Sequence, residues 1–400
     1  MIDHIVEEYN GLTMTMDRVN DKMYQLYVYD PEGEEVGRCI GYAEDCSFNG
    51  TTVKAFVLGR LYTNVLYRRG GMARKCFQMM DAAIKETGAI VSYLHPFSFP
   101  YYRMMGYERV SDHRVLKFRI EDLSFVERYN QLEPVTVDSS AAPLDAVYNK
   151  FAQGRNVMLH RFDSGIIDAK VTAPKYQFGM TYQYGLKGMK CYLSRDGEGD
   201  PDGYIIMRFE MPLKDHWLKD GILHVEEMCF TSPEALRKLL GFIRMYEGQY
   251  DYVRFANVGM APEVERLLRR YKYTDISILP DISGRFHDVG AALAANVYPR
   301  ERGEFTVKVT DCEKSPFSKD LTEGVWHVVY ENGKGEVTRL ADDAACDLIT
   351  DMPAFSQIVH GYESYGMEVA QYMHGVEILG DCKDFFRAFP NRPAGAFDLF

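Results

Sequence analysis

The chain has 400 residues, with 46 Lys or Arg against 58 Asp or Glu and a net charge of -12 at pH 7. That length holds about two to four domains, and 46% hydrophobic with 26% charged residues is the composition of a soluble globular protein. The acid excess argues against nucleic acid as a main partner, because phosphate binding needs clustered Lys and Arg; it is compatible with a cationic substrate.

No apolar run reaches the roughly 20 residues that cross a bilayer, and the opening "MIDHIVEEYNG" is too acidic and polar for a signal peptide. The longer segment "MIDHIVEEYNGLTMTMDRVNDK" (1–22) does not form a convincing strand and helix pair. The cysteines (Cys39, Cys46, Cys76, Cys191, Cys229, Cys312, Cys346, Cys382) form no C-x-x-C pair and have no histidine at ligand spacing. Neither a disulfide framework nor a metal site is expected, and the compartment expected is the cytoplasm.

"VKAFVLGRLYTNV" (53–65) has the apolar, β-branched character of a strand. "LYRRGGMARKC" (66–76) follows, with four cations beside two glycines. Met72, Cys76, Met79, Met80, Ala83 and Ile84 then mark one face of a helix, Gly88 sits at its C-terminal cap position, and "AIVSYL" (89–94) is the next strand. The arginines and glycines therefore fall at a strand-to-helix junction. The first helical turn leaves N–H groups unpaired and its dipole favours anions, while glycine lets the backbone approach a ligand. Arg68, Arg69 and Arg74 add charge, so the turn Arg68, Arg69, Gly70, Gly71, Met72, Ala73 suits a diphosphate. The spacing is neither a G-x-G-x-x-G fingerprint nor a P-loop. The same residues also describe a capped surface turn with solvated arginines; in that case arginines beside the helix start carry a small uncompensated cost.

Further on, "HRVLKFRIEDL" (113–123) precedes a linker, "NQLEPVTVDSSAAPLD" (130–145). "SPEALRKLLGFIRMYEGQY" (232–250) is a helix with Ser232 as N-cap, Pro233 at the first position and Glu234 in the first turn. "ENGKGE" (331–336) is a hairpin turned at Asn332-Gly333. His160 and His360 are expected to be structural, and His4, His113 and His287 show no partner in the sequence. Tyr107 is expected to pack under the next strand, and the paired methionines at 79–80 and 104–105 to fill core.

Arg68-x-x-Gly71-x-Ala73 is similar to the R/Q-x-x-G-x-G/A motif with which GNAT N-acetyltransferases hold the pyrophosphate of acetyl-CoA. "VSYLHPFSFPYYRMMGYERV" (91–110) resembles the strand, Leu-His loop and Y-x-x-x-G-Y segment of one GNAT branch, the Eis (enhanced intracellular survival) family, and the ending "GAFDLF" resembles that family's phenylalanine terminus. "GRFHDVGAAL", "WHVVYENGKGEV" and "CDLITDMPAFSQIVHGY" resemble its sterol-carrier-like domain. The resemblance is strongest over 53–110 and 282–400.

It implies an α+β protein of tandem GNAT-like folds followed by a sterol-carrier-protein-like domain. Residues 1–130 would be catalytic, 131–281 a second GNAT-like fold without cofactor, and 282–400 the third domain. It implies direct acetyl transfer from acetyl-CoA to a primary amine (an aminoglycoside, polyamine or lysine side chain), and a homo-oligomer, hexameric in some relatives. Backbone N–H groups near Leu61, Tyr62 and Thr63 would orient the pantetheine arm and polarise the thioester. Tyr102, with Gly106-Tyr107 completing its motif, would be the general acid, since a phenol with a pKa of about 10 keeps its proton; Tyr101 is out of register. The Phe400 α-carboxylate, with a pKa of about 3.5, would act as base through water or by holding the ammonium. His95 matches the family's loop histidine, which would either touch substrate or order the loop. The N-terminal segment is shorter than usual, so that either the start is misassigned or the acceptor side is remodelled. Two other readings are a binding module, with acetyl-CoA as a regulator and a lipid in the C-terminal domain, and a degenerate acetyltransferase.

Overall fold

The structure is a computed structural model that describes residues 3–162, 188–210, 221–268, 274–312, 319–363 and 366–397. The chain opens with β1 (His4–Tyr9), β2 (Leu12–Arg18), β3 (Met23–Tyr29), β4 (Glu35–Phe48) and β5 (Thr51–Thr63). Next come α1 (Met72–Thr87), β6 (Val91–Leu94), α2 (Phe99–Arg103), β7 (Glu108–Arg109) and β8 (Asp112–Arg119). The middle holds β9 (Glu133–Val135), α3 (Ala142–Ala152), β10 (Met189–Arg195), β11 (Pro201–Glu210), β12 (Ile222–Phe230), α4 (Pro233–Ile243), β13 (Tyr252–Phe255), α5 (Pro262–Leu267) and β14 (Asp275–Pro280). Beyond these lie β15 (Ser283–Phe286) and α6 (Val289–Ala295). β16 (Gly303–Thr310), β17 (Gly324–Glu331), β18 (Lys334–Leu340), β19 (Leu348–Asp351) and β20 (Val376–Ile378) form a small sheet, with α7 (Lys319–Thr322), α8 (Met352–Val359), α9 (Met367–Ala370) and α10 (Lys383–Ala388) around it.

The first sheet runs β1-β2-β3-β4-β5-β6-β15-β7, the second β14-β8-β13-β12-β11-β10-β9 and the third β18-β17-β16-β19-β20. Two compact units result. One is Met1–Ser111 with Asp281–Arg392; the other is Asp112–Pro280 with Pro393–Leu399. The chain passes between the units at 111–112 and at 280–281. The cause is strand pairing: β8 lies between β13 and β14 in the second sheet, and β15 lies between β6 and β7 in the first.

The segment 1–22, which does not match a strand and helix pair, forms the hairpin β1–β2 and leads into β3. Leu12, Met14 and Met16 in β2 and Tyr24, Leu26 and Val28 in β3 alternate into the core. Asn10-Gly11 turns β1 into β2 and Asn49-Gly50 turns β4 into β5, all four residues at positive φ, as does Asn332-Gly333 between β17 and β18. The stretch expected as a linker, 130–145, holds edge strand β9, paired with β10, and the first turn of α3.

α1 forms where its spacing places it. The six apolar residues of its predicted face are all buried, and Gly88 (φ +70°) closes it by donating its N–H to the Ile84 and Lys85 carbonyls. Both parallel pairs formed through a helix, β5/β6 through α1 and β12/β13 through α4, need such a crossover because a tight hairpin cannot join parallel strands.

Residues after 281 are tied into the first unit by buried polar contacts. Arg285 on β15 pairs with Asp311 at 2.7 Å and donates to the Met105 carbonyl at 2.5 Å. Its guanidinium lies against Gly106 (φ +85°), where a Cβ would overlap it, so the glycine of the Y-x-x-x-G-Y segment is fixed by a residue far along the chain. His287, expected without partner, has Nδ1 2.9 Å from Asp81 on α1 and Nε2 2.7 Å from the Ser92 hydroxyl; Ser92 in turn lies 2.7 Å from the Tyr107 hydroxyl. His4 also has a partner, Asp17, at 2.6 Å. His360 donates from Nδ1 to the Ser356 carbonyl (2.6 Å) and accepts from Tyr93 (3.0 Å), and burial pulls its pKa down to about 4.

Candidate functional site

β5 meets β6 only from Ala55 to Val57, opposite Val91 to Tyr93, and then runs on to Thr63 with β4 as its sole ladder partner. β6 itself ends at Leu94. The ladder to β4 shifts register opposite Arg60, whose φ is +52°. Past Thr63, Asn64 caps a short turn by accepting the Leu66 N–H at 3.1 Å, and Arg68 donates to the Thr63 carbonyl at 3.3 Å. Arg69 (φ +68°) and Gly71 (φ +81°) both take left-handed backbone. α1 then begins with no side chain capping it and no acidic residue in its first turn. Its first N–H groups and the positive end of its dipole are left for a ligand.

The turn is held from outside by the β1–β2 corner. The Gly70 carbonyl accepts from the Tyr9 hydroxyl at 3.1 Å and from Asn10 Nδ2 at 3.2 Å. A Cβ on Gly71 would stand 2.6 Å from the Tyr9 oxygen, so glycine is required by space as well as by φ. Lys75, one turn into α1, pairs with Glu7 on β1.

A cavity of about 630 Å³ opens over this junction. Of the predicted cofactor residues, Leu61, Tyr62, Thr63, Arg68, Arg69, Gly71, Met72 and Ala73 line it, and Gly70 does not. Arg74 joins Arg68 and Arg69, and no carboxylate lies among the described lining residues. Phe97, Tyr101, Met104 and Met105 also line it, with Arg74 donating to the Met104 carbonyl at 3.1 Å, and Tyr67 lies at the turn itself. An anionic group at the arginines and an apolar chain along Phe97, Met104 and Met105 both find partners here.

Tyr102 is 4% exposed and does not line the cavity. Its ring sits among Phe97 and Tyr101 (5.3 Å each), Phe77 (6.0 Å) and Tyr107 (6.3 Å), and burial raises its pKa, so it keeps its proton at neutral pH. Tyr101, the neighbour out of register, lines the cavity; burial raises its pKa as well, against the opposing charge of Arg74. His95 Nδ1 is 3.0 Å from Asp281 and is not in the cavity wall. Phe400 lies outside the described residues. Sequence reasoning missed Tyr9 and Asn10, whose contacts with Gly70 span some sixty residues, and the apolar wall at Phe97, Met104 and Met105.

Residues 13–110 match the model of an acetyltransferase (GNAT) domain, and residues 180–280 match a second acetyltransferase (GNAT) domain model. The chain carries two GNAT acetyltransferase domains and is an enzyme of that type. Acetyl-CoA is the donor such domains imply. Among solved structures, a GCN5-related N-acetyltransferase from Anabaena variabilis is 20% identical with a TM-score of 0.74, covering 94% of this chain and 89% of that one. Eis1 from Mycobacterium abscessus is 16% identical with a TM-score of 0.74, covering 94% and 91%. A probable N-acyltransferase from Enterococcus faecalis is 18% identical with a TM-score of 0.70, covering 95% and 90%. These likenesses show the fold. No curated protein matches the chain. No described helix is long and apolar enough to cross a membrane.

Proposed function

We propose that the first GNAT domain moves acetyl directly from acetyl-CoA to a primary amine, in an Eis-like enzyme. The observation that carries this is the uncapped start of α1 opening into an arginine-lined cavity. The N–H groups of Met72 and Ala73, with Arg68 and Arg69, would hold the pyrophosphate. The N–H groups of Leu61 and Thr63, on the part of β5 beyond β6, would orient the pantetheine arm and polarise the thioester carbonyl. The amine nitrogen forms its bond to the acetyl carbon, the C–S bond breaks, and the departing thiolate takes a proton from a tyrosine.

For that acid the motif register favours Tyr102, and its raised pKa keeps the proton available. Tyr101 is the second reading, favoured by its place in the cavity wall. The Phe400 carboxylate is the proposed base, and His95 a substrate-side residue. The acceptor class proposed is a polyamine, aminoglycoside or lysine side chain, in keeping with the acid excess. The Asp30 carboxylate, in the acidic turn between β3 and β4, accepts from the cavity residue Tyr67 at 3.1 Å. Residues 282–400 are proposed to be sterol-carrier-like from Gly303 onward, where the third sheet lies.

Thiol release from acetyl-CoA across a panel of aminoglycosides, polyamines and lysine peptides tests the reaction. Tyr102→Phe should lower kcat by about a hundredfold or more and leave acetyl-CoA affinity nearly unchanged; full activity there, with loss in Tyr101→Phe, moves the acid to Tyr101. Residues added after Phe400 should damage turnover, and an unimpaired extended enzyme removes the carboxylate from the mechanism.

A further inference from the structure

The second unit has its own cavity, of about 480 Å³, over the β12–α4 junction, the counterpart of the acetyl-CoA turn. It lacks what holds a diphosphate. Two residues, Thr231 and Ser232, join strand to helix; Ser232 Oγ accepts the Ala235 N–H at 3.1 Å; and Pro233 at the first helical position has no N–H. The helix start is closed.

The cavity wall carries charge of a different origin. Lys150 on α3, Arg237 on α4 and Arg266 on α5 converge on it from three helices. Arg155 also lines it, but its guanidinium is spent on the Met260 and Phe151 carbonyls (2.5 and 2.7 Å) and on Glu263 at 3.4 Å, the one carboxylate among the described lining residues. Arg237 is 3.5 Å from Glu234, an exposed pair worth little. Beside the polar Thr231 and Ser232, the wall has an apolar part: Phe151 and Phe230, edge to face at 5.2 Å, with Leu236 and Leu267. In a chain with 58 acidic residues, three cations collected over an apolar wall form a local field that selects anions. The volume lies in the range of small-molecule sites, about 300–1,000 Å³.

We infer that this cavity binds an apolar organic anion, an acyl or aryl body on Phe151, Phe230 and Leu236 with one carboxylate or phosphate head at Lys150, Arg237 and Arg266. The inference is independent of the acetyl-transfer reading, since no residue is shared with the first cavity.

Calorimetry on the full chain without acetyl-CoA tests it, with octanoate, octyl phosphate and uncharged octanamide as probes. Octanoate or octyl phosphate should bind at one saturable millimolar or tighter site, the tighter of the two assigning the head group. Octanamide should bind at least about tenfold more weakly, and the Lys150→Ala/Arg266→Ala variant should lose at least about tenfold for the anions alone. Both substituted residues are exposed, so folding is expected to survive, and an unchanged denaturant-unfolding transition of the variant checks this. Equal binding of octanamide and octanoate, unchanged anion affinity in the variant, or no saturable binding of either anion overturns the inference.

Discussion

Two crossovers of the same topology behave differently. In the first unit, eight residues, 64–71, join β5 to α1; they are rich in arginine and glycine, and nothing caps the helix. In the second unit, two residues join β12 to α4, and a serine and a proline close the helix start. A helix start offers the same unpaired donors wherever it occurs, so binding is decided by what the preceding turn does with them. An open turn with left-handed glycine leaves them to a ligand, and a capped start uses them internally. On the proposed reading, the comparison gives a reason for one acetyl-CoA site in a chain with two GNAT domains, and for a second cavity whose charge comes from side chains on three helices.

The comparison breaks most sharply at Gly71. Gly71→Asp places a carboxylate at the N-cap of α1, giving it the closed start that α4 has and an anion where the pyrophosphate would lie. Acetyl-CoA affinity should fall by at least about a hundredfold, close to 3 kcal/mol. Part of any loss is strain, because a Cβ at positive φ costs about 1–2 kcal/mol and meets the Tyr9 hydroxyl. Gly71→Ala carries that strain without the charge, so calorimetry on both separates the two. Equal affinity in the Asp and Ala variants would mean that the anion does not sit at the start of α1.

A smaller effect is expected at Tyr9, which holds the open turn in place. Tyr9→Phe removes one hydrogen bond to the Gly70 carbonyl, worth about 1 kcal/mol, and leaves the one from Asn10. Acetyl-CoA should bind about fivefold more weakly, with kcat unchanged at saturation. A lowered kcat at saturating acetyl-CoA would instead place Tyr9 in the chemical step.

Local signals were legible in the sequence, and long-range ones were not. The face of α1, its Gly88 cap and the Ser232 cap of α4 follow from spacing and residue type. So did the Asn332-Gly333 hairpin. The identical Asn-Gly signal stands at Asn10-Gly11 and Asn49-Gly50, where it marks the hairpins β1–β2 and β4–β5. By contrast, β15 joins the first sheet, Arg285 lies on Gly106, and Ser92 meets His287 across 195 residues. None of these leaves a periodic trace. Nor could motif register show that Tyr102 is enclosed by Phe97 and Tyr101 while Tyr101 reaches the cavity, because both occupy the same short helix one residue apart and packing decides which turns inward.

The smallest effect tests the closed side of the comparison. Ser232→Ala removes the cap of α4 and should lower stability by about 1 kcal/mol, measured by denaturant unfolding. It also frees the Ala235 N–H, so that α4 then lacks a side-chain cap as α1 does. If the cap alone kept diphosphates out, this variant would take up a second acetyl-CoA per chain. We expect the stoichiometry to stay at one, because Pro233 still withholds a donor and two residues cannot build the cradle that eight build over α1. A second equivalent in the titration would show that capping, and not the length and glycine content of the turn, separates the two domains.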